Sequence, residues 1–241
     1  MLIAKLGHSQ QNSYVTVDTA NSYFDNRRDI DEWEALNSTE KEEVLIQATK
    51  DIDMYNFIGE KYYDSQNLSF PRRQQSGSES HEIVTGNCGT PITLNSFRNS
   101  RLWSSTYGKY PTSYWKYGTI HITAGTSVRS IVNIASSNVT NGSITTDENF
   151  STLPGRSSSF IVFAPIDDKI ARAQLEQALY ILKNANIETL TNLKELGVKR
   201  VEIGRARVDF KDGALGRIAV SPESRKLLSK WIRTQVRIGR A

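Results

Sequence analysis

Cysteine is almost missing from this chain: Cys88 is the only one in 241 residues, so no internal disulfide can form. Long apolar runs are missing as well. None approaches the roughly 18 residues that a membrane span needs, and the opening MLIAKLGHSQQNS is too poor in apolar residues for a signal peptide. These absences predict an intracellular product with no membrane partner. Histidine is scarce, with only His8, His81 and His121. Cys88, His81 and His121 together leave zinc one ligand short at familiar spacings, so no metal is expected. GxGxxG, Walker A, HExxH and GxSxG motifs are all absent. Asp167 and Asp168 read as the charged start of a helix, and Glu42 and Glu43 as a solvated helix face. The expectation is a protein that is not an enzyme, with no catalytic residue and no cofactor.

What is present is an uneven distribution of charge. The mean hydropathy is −0.47, which fits a modest core with polar additions. The formal net charge is +4. From Lys194 onward there are 13 basic and 5 acidic residues, a balance of +8, which leaves −4 for everything before. A basic C-terminal end suits a polyanion or an acidic partner, or else is simply a solvated face.

Helical periodicity marks both ends of the chain. Asp18 reads as an N-cap, with Ala20, Tyr23 and Phe24 on one face. Thr39 and Glu42 have capping-box spacing, followed by the stripe Val44, Leu45, Ala48, Ile52 and Tyr55, with Gly59 as the stop. After Pro165 a long stripe runs through Ile170, Ala171, Leu175, Ala178, Leu179 and Leu182. A shorter helix follows through Ile187, Leu190 and Leu193, and alternation over 198–210 predicts one or two strands. Ser221 and Pro222 then open a last helix whose stripe is Leu227, Leu228, Trp231, Ile232 and Val236.

The stretch between is of another kind. From Gln74 to about Ser159 it is rich in Ser, Thr, Asn and Gly, with β-favouring runs at 118–123 and 127–134. Turn signals stand at Asn141-Gly142 and Pro154-Gly155. His121, between Ile120 and Ile122, is expected on the polar face of a strand. The aromatic cluster Trp103, Tyr107, Tyr110, Tyr114, Trp115 and Tyr117 is interleaved with Arg101, Lys109 and Lys116. It reads as the core of this region or a protein contact, and alternatively as a surface that stacks bases of a single strand. The predicted fold class is α+β: a small, mostly helical bundle of residues 1–73 and 164–241, interrupted by a β-rich insertion at 74–163.

Several segments carry a resemblance. Tyr14 to Tyr23 (YVTVDTANSY), Trp33, Ser38 to Thr49 (STEKEEVLIQAT), Ile52-Asp53, Phe57 to Lys61 (FIGEK) and Leu68 to Arg72 (LSFPR) are similar to the opening of tailed-phage head-to-tail adaptor (connector, or head-completion) proteins. Ala164-Pro-Ile166, Ala171 to Leu182, Val201 to Gly204 and Val208 to Phe210 resemble the family's later blocks. Relatives often bear a DnaT-like, single-stranded-DNA-binding label, read here as a distant analogy. The resemblance implies a homo-oligomeric ring, usually a dodecamer, in the neck of a virion assembled in the host cytoplasm. Its partners would be the portal protein, tail or tail-completion proteins and the packaged DNA in the channel. Leu227, Leu228, Trp231, Ile232 and Val236 would then dock on the portal or the adjacent copy, unless they pack on the chain's own Ile170–Leu182 stripe. Arg225, Lys226, Lys230, Arg233, Arg237 and Arg240 would face DNA or an acidic partner. Trp103, Tyr107, Tyr110, Tyr114 and Trp115 would supply contacts from the insertion. The alternative function is a single-stranded nucleic-acid-binding module using the aromatic cluster and the basic tail. A weaker third is a β domain that contacts a glycan or receptor.

Overall fold

A computed structural model describes residues 1–73, 82–89, 91–102, 110–111, 113–184, 200–203, 206–209 and 220–233. The expected helix through Ile187, Leu190 and Leu193, together with His81, Trp103, Tyr107, Val236, Arg237 and Arg240, lies outside those residues.

The architecture is mostly β, and the predicted helical bundle with an inserted domain is corrected accordingly. Its centre is an antiparallel sheet of β3 (Ile83–Asn87), β4 (Pro91–Thr93), β5 (Ser96–Arg98), β6 (Thr119–Ala124), β7 (Ile131–Asn138), β8 (Ser143–Thr146) and β9 (Ser159–Phe163), in the spatial order β3-β9-β6-β7-β8-β5-β4. Six of these strands curl until the two ends approach. Asn99 Nδ2 donates to Asn87 O and Arg101 Nη1 to Thr85 O, both at 2.6 Å, tying the 3-10 turn Ser100–Leu102 to β3. Register shifts in β6 and between β7 and β8 supply the extra bend that such curling needs. Gly89 belongs to this closure, because any side chain there would strike Arg98 O.

The concave side is one core: Val84, Phe97, Ile120, Ile122, Val132, Ile134, Ile144, Phe160 and Val162, with Leu102, Tyr110 and Trp115 closing over it. The Phe97 and Phe160 rings meet across it at 5.4 Å.

Helices cover part of the other side. They are α1 (Val17–Phe24), α2 (Asp31–Glu34), α3 (Ser38–Asp53), α4 (Asp168–Lys183) and α5 (Pro222–Leu228). The capping box of α3 is Asn37 with Glu40, two residues earlier than the Thr39–Glu42 pair. Thr16 rather than Asp18 caps α1. Ser221 caps α5 and Pro222 takes its first turn, as the sequence suggests. A separate two-stranded pair, β10 (Arg200–Ile203) and β11 (Ala206–Asp209), forms where alternation was read.

Sheet and helices are not independent bodies. Phe163 of β9, Ile83 and Ile161 share a core with Leu6, Ile52, Phe57, Phe70, Ile170, Ala173 and Leu228. The N-terminal segment lies along β6, where Leu6 N donates to Thr119 Oγ1 at 3.1 Å and Leu6 O meets His121 Nε2 at 2.7 Å. This explains the error over His121. The outward face of β6 is covered, and its ring is buried between Tyr63, stacked at 5.6 Å, and Phe163 at 4.8 Å. Burial holds the imidazole pKa down at about 4, so it is neutral. Cys88 is buried in the concave core and its thiol pKa is pushed up to about 11 by desolvation. Cys88 and His121 therefore serve different cores.

Candidate nucleic-acid interface

The last helix packs on its own molecule. Leu228 is fully buried, and Leu227, Trp231 and Ile232 lie half-buried against the same core. Ser221 N donates to Gln177 Oε1 at 2.7 Å, and Ser224 Oγ donates to Ala173 O at 2.8 Å, so α5 is fastened to α4. The helix stops at Leu228, and the chain then turns to run beside Phe57. Ile58 N donates to Trp231 O at 2.7 Å and Arg233 N donates to Asn56 O at 2.8 Å. Leu227, Leu228, Trp231 and Ile232 of the stripe expected to dock on a portal are thus occupied by the protein's own interior, as a helix of seven residues keeps its shape only when packed.

This turn brings the C-terminal segment to a small hairpin, β1 (Glu60–Lys61) and β2 (Arg72–Arg73). Gly59, at φ 84°, makes the bend into it. Arg72 holds the bend together: its guanidinium donates to the carbonyls of Ile58 (2.8 Å), Phe57 and Ser69 (both 3.1 Å) and Gly59. Burial lowers the Arg72 pKa and the nearby Arg233 charge adds to this, against the opposing pull of Tyr14, Asp53 and Glu60, so that two cations share a neighbourhood with acids of their own. Around them stand exposed Arg73, whose guanidinium lies 4.8 Å over the Tyr62 ring, and Lys230, whose ammonium lies 5.6 Å from the Trp231 ring. Lys61 is half-buried and its Nζ holds Asn67 O at 3.0 Å. Met54 and Ile58 add exposed apolar surface, at 68% and 37%. The acids on the hairpin and its loop are Glu60 and Asp64. Cations seated on aromatic rings offer phosphate contacts and π-faces in one place.

Of the other residues read from the sequence, Arg225 and Lys226 are exposed on α5, with Lys226 3.9 Å from Glu223. Tyr110 and Trp115 are buried in the concave core and Tyr114 is half-buried against it, the three rings spaced 4.9 Å apart. Tyr110 also donates to Glu82 Oε1 at 2.9 Å. These three are core rather than contact residues. Sequence reasoning gave no role to Tyr62, Arg72 and Arg73. The available signal was the pair of basic–aromatic runs Lys61-Tyr62-Tyr63 and Phe70-Pro71-Arg72-Arg73.

A family model described as "Putative DnaT-like ssDNA binding protein" matches residues 5–86, about a third of the chain. The hairpin lies inside that match. No curated protein matches the chain. The family match overturns the head-to-tail adaptor resemblance, and with it the expected ring, portal, tail and virion roles. The similarity that had been read as a distant analogy is the one a family model carries. Among the described residues no helix is long and apolar enough to cross a membrane.

Proposed function

We propose that this protein binds single-stranded nucleic acid, DNA in the first instance, through the cations and rings around the β1–β2 hairpin. The observation that carries the reading is the pairing of Arg73 with Tyr62 and of Lys230 with Trp231 around one bend, inside or beside the segment similar to an ssDNA-binding family. Unstacked bases present π-faces that duplex DNA hides, and the phosphates give the charge that Arg73, Lys230 and Arg233 meet. No catalytic step and no cofactor belong to this reading.

The experiment is fluorescence anisotropy with a labelled oligo(dT) and the matching duplex across a salt series. Binding of the single strand should weaken steeply with salt, with a log–log slope of about −0.7 per phosphate neutralised. The triple change Arg73→Gln, Lys230→Gln, Arg233→Gln should flatten that slope by about two. Equal affinity for duplex and single strand, or an unchanged slope in the triple variant, would dismiss the hairpin as the site.

A further inference from the structure

Beyond the hairpin, one aromatic side chain is presented to solvent in a way that packing does not explain. Tyr117 is 70% exposed, although its neighbours Trp115 and Gly118 are buried. Its backbone sits at φ 68°, a left-handed conformation that a bulky non-glycine residue rarely adopts and that costs on the order of 1 kcal/mol. The surrounding chain fixes it there. Tyr117 N donates to Ile134 O at 2.9 Å, Lys116 N donates to Ser113 O at 2.9 Å, and Gly118 lies so close to Phe163 O that no side chain fits. Lys116, half-buried, places its ammonium 4.7 Å from the Tyr117 ring. The backbone is therefore fixed with the ring outward beside a cation, as a stacking platform requires.

Its position is linked to the hairpin through the end of β9. Tyr117 lies two residues before Thr119, the register partner of Phe163, and the Tyr62 ring packs edge-on against Phe163 at 5.1 Å. Tyr62 thus sits on the end of β9, and Tyr117 just before the β6 residue paired with that end.

We infer that Tyr117, with Lys116, is a second contact for the same strand: a platform on which one base stacks while the hairpin holds the neighbouring backbone. This rests on the nucleic-acid reading above, and it extends the interface from the matched region onto the curled sheet. Tyr117 contributes stacking and Lys116 one phosphate contact.

The test uses the full chain with labelled oligo(dT) and two variants. Tyr117→Asn removes the ring while suiting a left-handed backbone, so folding is preserved. Tyr117→Phe keeps the ring and removes only the hydroxyl. The expected result is oligo(dT) binding weakened at least about fivefold in Tyr117→Asn and unchanged within about twofold in Tyr117→Phe, with an unchanged salt slope in both. Wild-type affinity in Tyr117→Asn overturns the platform and leaves the hairpin reading intact. Equal weakening in both variants assigns the hydroxyl rather than the ring, and also overturns it. A wild-type chain that binds no oligo(dT) overturns both readings together.

Discussion

In the curled sheet the strands are joined by main-chain ladders, and buried polar side chains such as Thr119, His121, Ser137 and Thr146 add to a frame already paired. In the helical end the joints between elements are made by buried polar side chains themselves. Gln174 of α4 accepts from Tyr14 N at 3.0 Å and donates to Ser13 Oγ at 2.7 Å and Leu45 O at 3.0 Å. Gln177 donates to Asp51 Oδ2 at 2.8 Å while accepting from Ser221 N, so that one side chain ties α3, α4 and α5. Asp53 accepts from Ser69 N at 2.9 Å and from the Tyr14 hydroxyl. Burial raises the pKa of both Asp53 and Tyr14. A sheet satisfies its main chain without help from sequence. Helices satisfy theirs internally, so their relative placement must be fixed by particular side chains. The two regions should therefore respond differently to substitution: the sheet to lost volume, the helical end to lost hydrogen bonds.

The most damaging change should fall where they meet. Phe163 is fully buried at the end of β9, in the core that both regions share. Phe163→Ala should cost about 3–5 kcal/mol and unfold sheet and helices in one transition. Loss of near-ultraviolet signal from only one region on denaturation would show that they are separable after all.

Next in size is the acid response of His121. Its folded pKa of about 4 lies below the ordinary 6.5, so the unfolded chain takes up the proton first as pH falls. Stability from this group is full above about pH 6.5 and drains between there and about 4, by roughly 3 kcal/mol in total. Asp53 acts in the opposite sense, since a raised carboxylate pKa favours the folded state as the group protonates. Urea titrations at stepped pH should show the loss in the wild type and a flatter profile in His121→Gln. An identical profile in that variant would assign the acid sensitivity elsewhere.

A smaller effect is expected at Gln174. Gln174→Leu leaves Tyr14 N without its buried acceptor and should cost about 1–3 kcal/mol, mostly within the helical end. Hydrogen exchange would check this: amides of α3 and α4 should lose protection before those of β6 and β9. The smallest change belongs to the surface. Arg73→Gln should move stability by no more than about 0.5 kcal/mol while lowering affinity for single-stranded DNA. A large drop in melting temperature would make Arg73 a structural residue instead.

Local rules were legible in the sequence where a signal sits within one or two turns. The α4 stripe, the Ser221 cap and Pro222 depend on neighbours three or four residues away, whereas the expected last-helix stripe outruns α5, which stops at Leu228 before Trp231 and Ile232. The α3 cap was misplaced because Asn37–Glu40 and Thr39–Glu42 share one spacing, and only the structure shows which oxygen meets the helix amides. The sheet was harder to read because alternation fails when both faces are covered. Thr119, Ile120, His121 and Ile122 are all buried, and β9 is the short apolar run Phe160–Phe163 after a serine. What covers the outer face is Leu6 and Tyr63, residues far away in sequence. The candidate site was opaque for the same reason. The segment carrying Lys230 is brought to the chain that enters the hairpin by the pairing of Phe57 with Ile232 and the hydrogen bonds beside it, which no local pattern announces.

That pairing carries a consequence for how the molecule reaches its native state. Leu6, Phe57 and Leu228 complete one hydrophobic cluster, although more than two hundred residues separate the first from the last. At about 5–20 residues per second, synthesis of the stretch between them takes on the order of ten to forty seconds. Through that interval the nascent N-terminal third has no α5 to pack with Phe57 and Phe70, whose rings are expected to stay exposed. High separation between contacting residues also slows the final search. A pulse-chase experiment should find the first 86 residues protease-sensitive on the ribosome, acquiring resistance only when Leu228 has emerged.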